Sequence, residues 1–300
     1  AITAALAVRN VRLGRGDRRT ALRFALYLGG VRMLWFLGAH HLASQSELRV
    51  FLDHFSYAMQ RVGLVWVFYM ALEPYARRLW PRMLVSWVRL FAGRFRDPLV
   101  GRDLLIGTLA GIAFALCDAI VRWIPLTFRL KPYLPEIGAL SFEALRGLRP
   151  ALTWTLAVHT LGVLDFFIPI LLFLVIRVLT RSTWVAVVLV SLIGLIAIYP
   201  GTGSITAWVV GSFPMIFLFW YLYLRVGLLP VIACAAVKDL LIEMPISLDF
   251  SSWQATAGLP ALLFLLGVAL WGFYTSVGGR PLFRDEILEA EAVAVARSAR

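Results

Sequence analysis

The chain has 300 residues, of which 61% are hydrophobic and 15% are charged. A soluble domain carries about 45–50% apolar and about 25% charged residues, so this composition excludes an ordinary soluble globular protein. The net charge of +12 would suit a nucleic-acid-binding protein, but the basic residues are spread over many turns instead of forming one patch. That distribution excludes nucleic acid as the expected partner and indicates membrane topology and contact with anionic lipid head groups.

Residues 1–8 (AITAALAV) are apolar and precede the basic run 9–19 (RNVRLGRGDRR). A signal peptide has the opposite order, with its basic residues before the apolar stretch. We therefore interpret 1–8 as the end of a truncated membrane helix, and we expect the chain to be part of a longer protein.

A helix needs about 20 apolar residues to cross the hydrocarbon core of a membrane. By this measure the sequence predicts an all-α fold, a polytopic membrane helical bundle forming one domain over 9–276. About eight transmembrane helices are expected: 20–39, 48–73, 103–123, 151–179, 183–199, 205–225, 229–245 and 258–276. Pro169 and Pro214 lie inside these segments and predict kinks. Gly107 and Gly111 form a GxxxG match, which indicates close helix packing.

Lysine and arginine are concentrated in every second connecting segment. The basic set is 9–19, 74–102, 180–182, 226–228 and the tail 277–300. The opposite set is 40–47, 124–150, 200–204 and 246–257, and only 124–150 in it contains Lys or Arg. The positive-inside rule then places both chain ends in the cytoplasm, and we expect a bacterial inner-membrane protein. For the exceptional segment 124–150 we expect a short helix around 136–147 at the outer surface.

Residues 81–93 (PRMLVSWVRLFAG) are too short and too charged to cross a membrane. At helical spacing their apolar side chains share one face, and Arg82 and Arg89 share the other. The segment is therefore predicted to be an interfacial amphipathic helix on the inner leaflet. It belongs to a candidate cytoplasmic surface for a partner or for lipid: Glu73, Arg77, Arg78, Arg82, Arg89, Arg94, Arg96 and Arg102.

Ionisable residues at membrane depth cost several kcal/mol unless they are paired or hydrated, so they form the second candidate site. They are Asp118, Arg122, His159, Asp165, Lys238, Asp239 and Glu243. The spacing of Asp118 and Arg122 allows an ion pair on one helix face. His159 and Asp165 are each expected to bond a neighbouring helix. The group from 238 to 243 is open to two interpretations, an internal salt-bridge network or a path for a cation or proton.

Motifs for chemistry are missing from the sequence. It contains no kinase, nucleotide-loop, serine-hydrolase or zinc-protease signature, so no catalytic residue is predicted. Cys117 and Cys234 lie in apolar runs without a second ligand at metal-binding spacing. We therefore expect neither a metal site nor a cofactor.

Four segments carry a family resemblance: 9–19 (RNVRLGRGDRR), 72–81 (LEPYARRLWP), 93–103 (GRFRDPLVGRD) and 273–283 (FYTSVGGRPLF). Together they resemble the C-terminal transmembrane region of bacterial serine/threonine protein kinases of the kind found in Acidobacteria. The resemblance implies a cytoplasmic kinase domain ahead of the membrane part. This chain lacks that domain, so no catalytic residue is carried over from the family.

Three functions follow as hypotheses. The first is a non-catalytic membrane anchor and sensor of a serine/threonine-kinase-like protein, which transmits helix-packing changes to cytoplasmic partners. The second is an accessory subunit that binds other membrane subunits, or itself, through apolar helix faces. The third is an ion or small-solute transporter that uses the intramembrane charges.

Overall fold

The computed structural model describes residues 2–38, 46–128, 144–160, 162–197, 205–247, 249 and 251–278. These residues are helical and contain no strand, which confirms the predicted all-α class. The α-helices are α1 (Ile2–Arg12), α2 (Arg18–Gly38), α3 (Glu47–Leu79), α4 (Val85–Phe91), α5 (Pro98–Thr127), α6 (Leu148–Val158), α7 (Gly162–Thr180), α8 (Thr183–Ala197), α9 (Ile205–Tyr221), α10 (Leu228–Glu243) and α11 (Ala255–Val277). A 3-10 helix (Pro81–Leu84) precedes α4, and a π-helix (Leu222–Val226) follows α9.

Four helical segments are long and apolar enough to cross a membrane: Arg18–Gly38, Pro98–Ile124, Trp208–Val226 and Ala255–Val277. These four segments indicate a membrane protein. The remaining predicted spans also coincide with helices, but those helices are shorter or more polar. The fourth predicted span, 151–179, is divided into α6 and α7 by a turn at His159 and Thr160.

Helix α5 packs along both α10 and α11 through glycines. A Cβ atom at Gly107 would lie 2.6 Å from the Pro230 carbonyl oxygen, and one at Gly111 would lie 2.8 Å from that of Cys234. The GxxxG match is thus a packing surface, as predicted. Towards the start of α5, a Cβ at Gly101 would lie 2.7 Å from the Gly272 carbonyl of α11. These glycines let the backbones approach more closely than any larger residue would allow.

The turns rich in arginine meet at one end of the bundle. The α1–α2 turn contacts the end of α3, and Arg23 near the start of α2 donates to the Phe91 carbonyl at the end of α4 (2.7 Å). Gly227, before α10, lies against the Met83 backbone, and Gly278, after α11, lies against Pro98. We call this end, formed by the turn 13–17, the segment 80–97, Gly227 and Gly278, the arginine face.

The predicted amphipathic segment 81–93 lies on the arginine face as the 3-10 helix followed by α4. Met83, Leu84 and Trp87 on its apolar side are buried. The Trp87 ring lies 4.6 Å from that of Phe24 on α2, so these side chains belong to the protein core. The position of the segment at a leaflet stays a prediction.

Parts of the exceptional segment 124–150 can be placed. Arg149, at the start of α6, donates to the carbonyl of Leu37 in the last turn of α2, where the helix dipole favours a cation. One basic residue of this segment thus has a structural partner. Residues 129–143 and 279–300 lie outside the described part of the chain, and with them most of the helix expected at 136–147 and the predicted tail.

Candidate functional site

The turn between α1 and α2 is built on two glycines in the left-handed region. Gly14 (φ +64°) ends α1, and its amide and the next one donate back to carbonyls of the last turn of α1 at 3.1 and 2.8 Å. Gly16 (φ +96°) approaches α3 so closely that a Cβ atom there would lie 2.8 Å from Met70 Cε. The turn therefore lies directly on α3, and its positive φ favours glycine at this position.

Asp17 begins α2 as its N-cap. Its carboxylate accepts hydrogen bonds from the Arg19 amide (3.1 Å), the Thr20 amide (3.0 Å) and the Thr20 hydroxyl (2.7 Å). Partial burial by itself would raise the pKa of Asp17, but these hydrogen bonds, with the charge of Arg77, outweigh it and lower the pKa. The carboxylate is thus held in its charged form beside α3.

Pro74 interrupts the hydrogen bonds of α3 and frees one carbonyl. Proline has no N–H, so the Met70 carbonyl four residues earlier loses its partner within the helix. Asn10 of α1 replaces that partner: its side-chain amide donates to the Met70 carbonyl at 2.9 Å and to that of Ala71 at 3.3 Å. Asn10 is only 2% exposed, so this contact takes place away from water.

Glu73 precedes Pro74 and is buried, with only 2% of its side chain exposed. One carboxylate oxygen accepts a hydrogen bond from Arg77 Nε at 2.6 Å, and the other accepts from the Asp17 amide at 3.3 Å. Glu73 and Arg77 therefore form an ion pair within one helix despite the proline, a pair that we did not predict because Pro74 was expected to end the helix. Glu73 also binds the α1–α2 turn, which the sequence could not indicate.

An open cavity of about 460 Å³ lies where this turn meets α3. Three arginines (Arg15, Arg77 and Arg78) and two carboxylates (Asp17 and Glu73) line it. The carboxylates already accept hydrogen bonds from the protein, so the lining presents an excess of guanidinium donors to an incoming group. The cavity suits a small anionic group or the contact of a partner chain.

The other predicted surface arginines lie on the arginine face or near the start of α5, and they differ in whether they form an ion pair. Arg89 and Arg102 form ion pairs, with Asp97 at 2.9 Å and with Asp103 at 2.8 Å. The others have exposed side chains: Arg82, Arg94 and Arg96. In both pairs the arginine is exposed, whereas the aspartate is largely buried.

A second corner on the arginine face repeats the construction of the first. Gly93 (φ +84°) ends α4, and its amide and that of Arg94 donate back into the last turn, each at 3.0 Å. Asp97 then caps α5, as Asp17 caps α2, and Arg89 binds both of its carboxylate oxygens. The shared pattern of glycine, arginine and a later capping aspartate was visible in the sequence, but we did not predict it.

The charged residues of α5 and α10 that the sequence predicted at membrane depth lie close together. Arg122 Nε donates to Asp118 at 2.6 Å, and Lys238 lies 2.5 Å from Asp239. Glu243, one turn further along α10, experiences the charges of Asp239, Lys238 and Arg122. What the sequence predicted as two separate groups is thus one cluster between two helices. The observed pairs favour a salt-bridge network.

His159 and Asp165 do not join this cluster. His159 lies at the turn after α6, where its Nε2 is 2.6 Å from the Tyr27 hydroxyl of α2 and its ring stacks on Phe264 of α11. The expected bond to a neighbouring helix is therefore present for His159. Asp165 lies on α7, and its side chain is outside the described part of the structure.

Arg32, in the middle of a predicted span, is a polar residue that sequence reasoning missed. Its guanidinium lies 3.6 Å from the centroid of the Trp35 ring and 4.3 Å from that of Tyr57 on α3. Arg61 donates to the Tyr57 hydroxyl at 2.8 Å. The spacing of Arg32 and Trp35 on one helix face could have indicated the first of these contacts.

Within the described residues, no group of three His, Cys, Asp or Glu side chains could hold a metal ion. Comparisons with protein-family models, with curated proteins and with solved structures find no match for this chain. The resemblance to the membrane region of bacterial kinases therefore rests on the four sequence segments alone.

Proposed function

We propose that the chain is a non-catalytic integral membrane domain, an anchor and sensor that transmits helix-packing changes to partners at the arginine face. One observation carries the proposal. The Phe24 ring of α2 lies 6.5 Å from Tyr69 on α3 and 4.6 and 5.3 Å from Trp87 and Phe91 on α4. A shift of α2 against α3 would therefore move the arginine-rich segment directly.

The α1–α2 turn gives the same movement a second route. Asn10 and the Asp17 amide bind the last turns of α3 at Met70 and Glu73. A displacement of α3 along its axis would have to move the cavity and its guanidinium groups. Packed helices with specific polar contacts shift between discrete arrangements, which is the behaviour a sensor needs.

The finer topology belongs to the proposal. We propose about eight spans, with the arginine face and both ends of this chain at the cytoplasmic side of a bacterial inner membrane. The concentration of arginine at one end of the bundle supports this orientation. The kinase parent rests on the sequence resemblance. Its direct test is the full gene product, which should encode a kinase domain upstream of Ala1.

The relay is tested by a substitution at the contact of α2 and α3. A Cβ atom at Gly29 would lie 2.5 Å from Val62 Cγ2, so Gly29→Ala disturbs the packing of α2 against α3 at Val62. Gly30→Ala is the matched control, because a Cβ at Gly30 meets no atom within 4 Å. We expect Gly29→Ala to speed amide hydrogen exchange at 13–17 and 81–97, and Gly30→Ala to leave it unchanged. Exchange that changes only near residue 29 would refute the relay.

Transport is a second candidate function, because the structure brings five charged residues of α5 and α10 into one cluster. Asp239→Asn and Glu243→Gln would separate the two functions in proteoliposomes. A flux that these changes abolish would support transport and contradict the sensor. If no flux is seen and another membrane protein co-purifies stoichiometrically, the accessory-subunit hypothesis gains instead.

A further inference from the structure

Helix α3 carries a row of polar and small residues that the rest of the chain leaves exposed. The row consists of Arg49, Asp53, Ser56, Gln60 and Gly63, all with exposed side chains or, for Gly63, an exposed backbone. Their spacing alternates between four and three residues, which places them along one side of the helix, as in a coiled-coil seam. We call this row the α3 stripe.

The α3 stripe lies at membrane depth if α2 crosses the membrane. Gly29, near the middle of α2, packs against Ala58 and Val62 of α3. Gln60 is therefore level with the centre of α2, and Asp53 is about 10 Å further along the helix at 1.5 Å per residue. A hydrocarbon core about 30 Å thick would include both. Amide and carboxylate groups that face lipid at that depth are costly.

Most polar side chains of α3 find partners inside the chain, among them Ser56 of the stripe, which donates to the Asp53 carbonyl. Tyr57 and Arg61 bond to each other, and Arg32 stacks on Tyr57. In the part of the chain that the structure describes, the Asp53 carboxylate and the Gln60 amide have no hydrogen-bond partner. In the proposed topology the Asp53 carboxylate and the Gln60 amide therefore lie at membrane depth without a partner in the described chain, and a further chain would supply one.

We propose that the α3 stripe is the contact surface between two copies of this chain, which pack α3 against α3 in parallel. Two copies inserted with the same orientation are related by an axis along the membrane normal, so each residue meets its own equivalent or a neighbour one turn away. A side-chain amide both donates and accepts, so Gln60 can bond to Gln60 of the second copy. Arg49 and Asp53 have opposite charges one turn apart, so each can pair with the other across the axis.

The geometry around the stripe also suits a second copy. A Cβ atom at Gly63 meets nothing within 4 Å, so this position leaves room for close approach of another helix. Exposed apolar side chains flank the stripe, among them Leu52 (50% exposed), Met59 (44%) and Leu64 (41%). They would pack around the polar centre of the contact. The inference rests on the proposed topology, in which α2 and α3 cross the membrane, and not on the proposed sensor role.

Gly63→Leu tests the contact without disturbing the single chain. The new side chain enters open space in the monomer but blocks the approach of a second α3. Gly267→Leu on α11 is the matched control, because this glycine is also helical, exposed and without neighbours within 4 Å. Energy transfer between C-terminally labelled copies in liposomes, measured over a range of protein-to-lipid ratios, gives the dimer dissociation constant. We expect Gly63→Leu to raise it about tenfold or more, and Gly267→Leu to leave it unchanged.

A second pair of variants tests the hydrogen bond. Gln60→Leu makes the helix more apolar, so it should insert and fold, but it removes the donor and acceptor. Gln254→Leu is the same change at an exposed position outside the stripe. We expect Gln60→Leu alone to raise the dissociation constant, by about tenfold.

Three outcomes would overturn the proposal. One is the absence of energy transfer for the wild-type chain at every lipid ratio. Another is transfer that neither Gly63→Leu nor Gln60→Leu weakens, which would place the contact on a different surface. The third is a different membrane protein that co-purifies with the chain and is lost in Gly63→Leu, which would give the stripe another occupant.

Discussion

The contact between Asn10 and the carbonyl that Pro74 frees leads to the sharpest prediction. Asn10→Ala leaves the Met70 carbonyl without a donor in a place where Met70 itself is 0% exposed. A buried polar group left unsatisfied costs about 1–3 kcal/mol, so we expect a loss of about 2 kcal/mol in unfolding free energy. The smaller side chain also leaves a void, and that loss has to be separated from the lost hydrogen bond.

A double-mutant cycle makes the separation. Pro74→Ala restores an N–H at position 74, which can bond to the Met70 carbonyl within the helix. In that background Asn10→Ala should cost only the void, so the coupling energy between the two changes should be about 1–2 kcal/mol. Unfolding of the purified chain in mixed micelles by increasing mole fractions of SDS would measure all four proteins.

The reasoning fails if Asn10→Ala costs the same with proline and with alanine at position 74. Equal costs would mean that Asn10 stabilises the chain through packing and that the freed carbonyl is satisfied in another way. A larger cost in the Pro74→Ala background would contradict the reasoning more strongly, because the new backbone hydrogen bond should make the Asn10 amide redundant.

Three further predictions use the same unfolding measurement. Asp17→Ala should cost about 1 kcal/mol through the lost N-cap, whereas Asp17→Asn keeps the cap. The folded pKa of Asp17 lies below its ordinary 3.8, so the charged carboxylate stabilises the folded chain above pH 3.8, and this stability is lost as the pH falls through the lower folded pKa. Asp17→Asn should not show this pH dependence. Gly107→Leu should cost about 1–3 kcal/mol or more against the Pro230 backbone, while Gly30→Leu, in open space, should not. Lys238→Met should destabilise the chain more than Lys238→Arg, because Lys238→Met removes a cation that lies 2.5 Å from Asp239 whereas Lys238→Arg keeps the positive charge. Equal losses for the two variants would contradict a stabilising ion pair.

Helix positions were largely predictable, because a membrane segment is apolar over its whole length and the signal is local. The segments 183–199 and 229–245 coincide with α8 and α10 to within two residues at each end. The division of 151–179 was not predicted, because its apolar composition continues through His159 and Thr160. The number of membrane-spanning helices was not determined either. Helix α3 carries charged residues, and only the packing shows which of them face the rest of the chain.

The candidate sites show the same division between local and distant information. The pair of Asp118 and Arg122 on one helix follows from a spacing of four residues. Glu73 and Arg77 have the same spacing, but only the structure shows that Pro74 does not prevent their pair. Asn10 is 60 residues from the carbonyl that it binds, and no local pattern in the sequence connects the two. The charged residues of α5 and α10 are also far apart in sequence, so their proximity could not be predicted.

The sequence by itself determined the all-helical class, the apolar segments and the connecting segments in which arginine is concentrated, because each depends on composition or on near neighbours. Only the tertiary structure decided which polar groups are satisfied. In the folded chain Asn10 of α1 donates to the Met70 carbonyl, Arg149 donates to the Leu37 carbonyl at the end of α2, and the α3 stripe is exposed. The physical reason is that a buried polar group needs a partner in space, and the nearest partner in space is seldom the nearest in sequence.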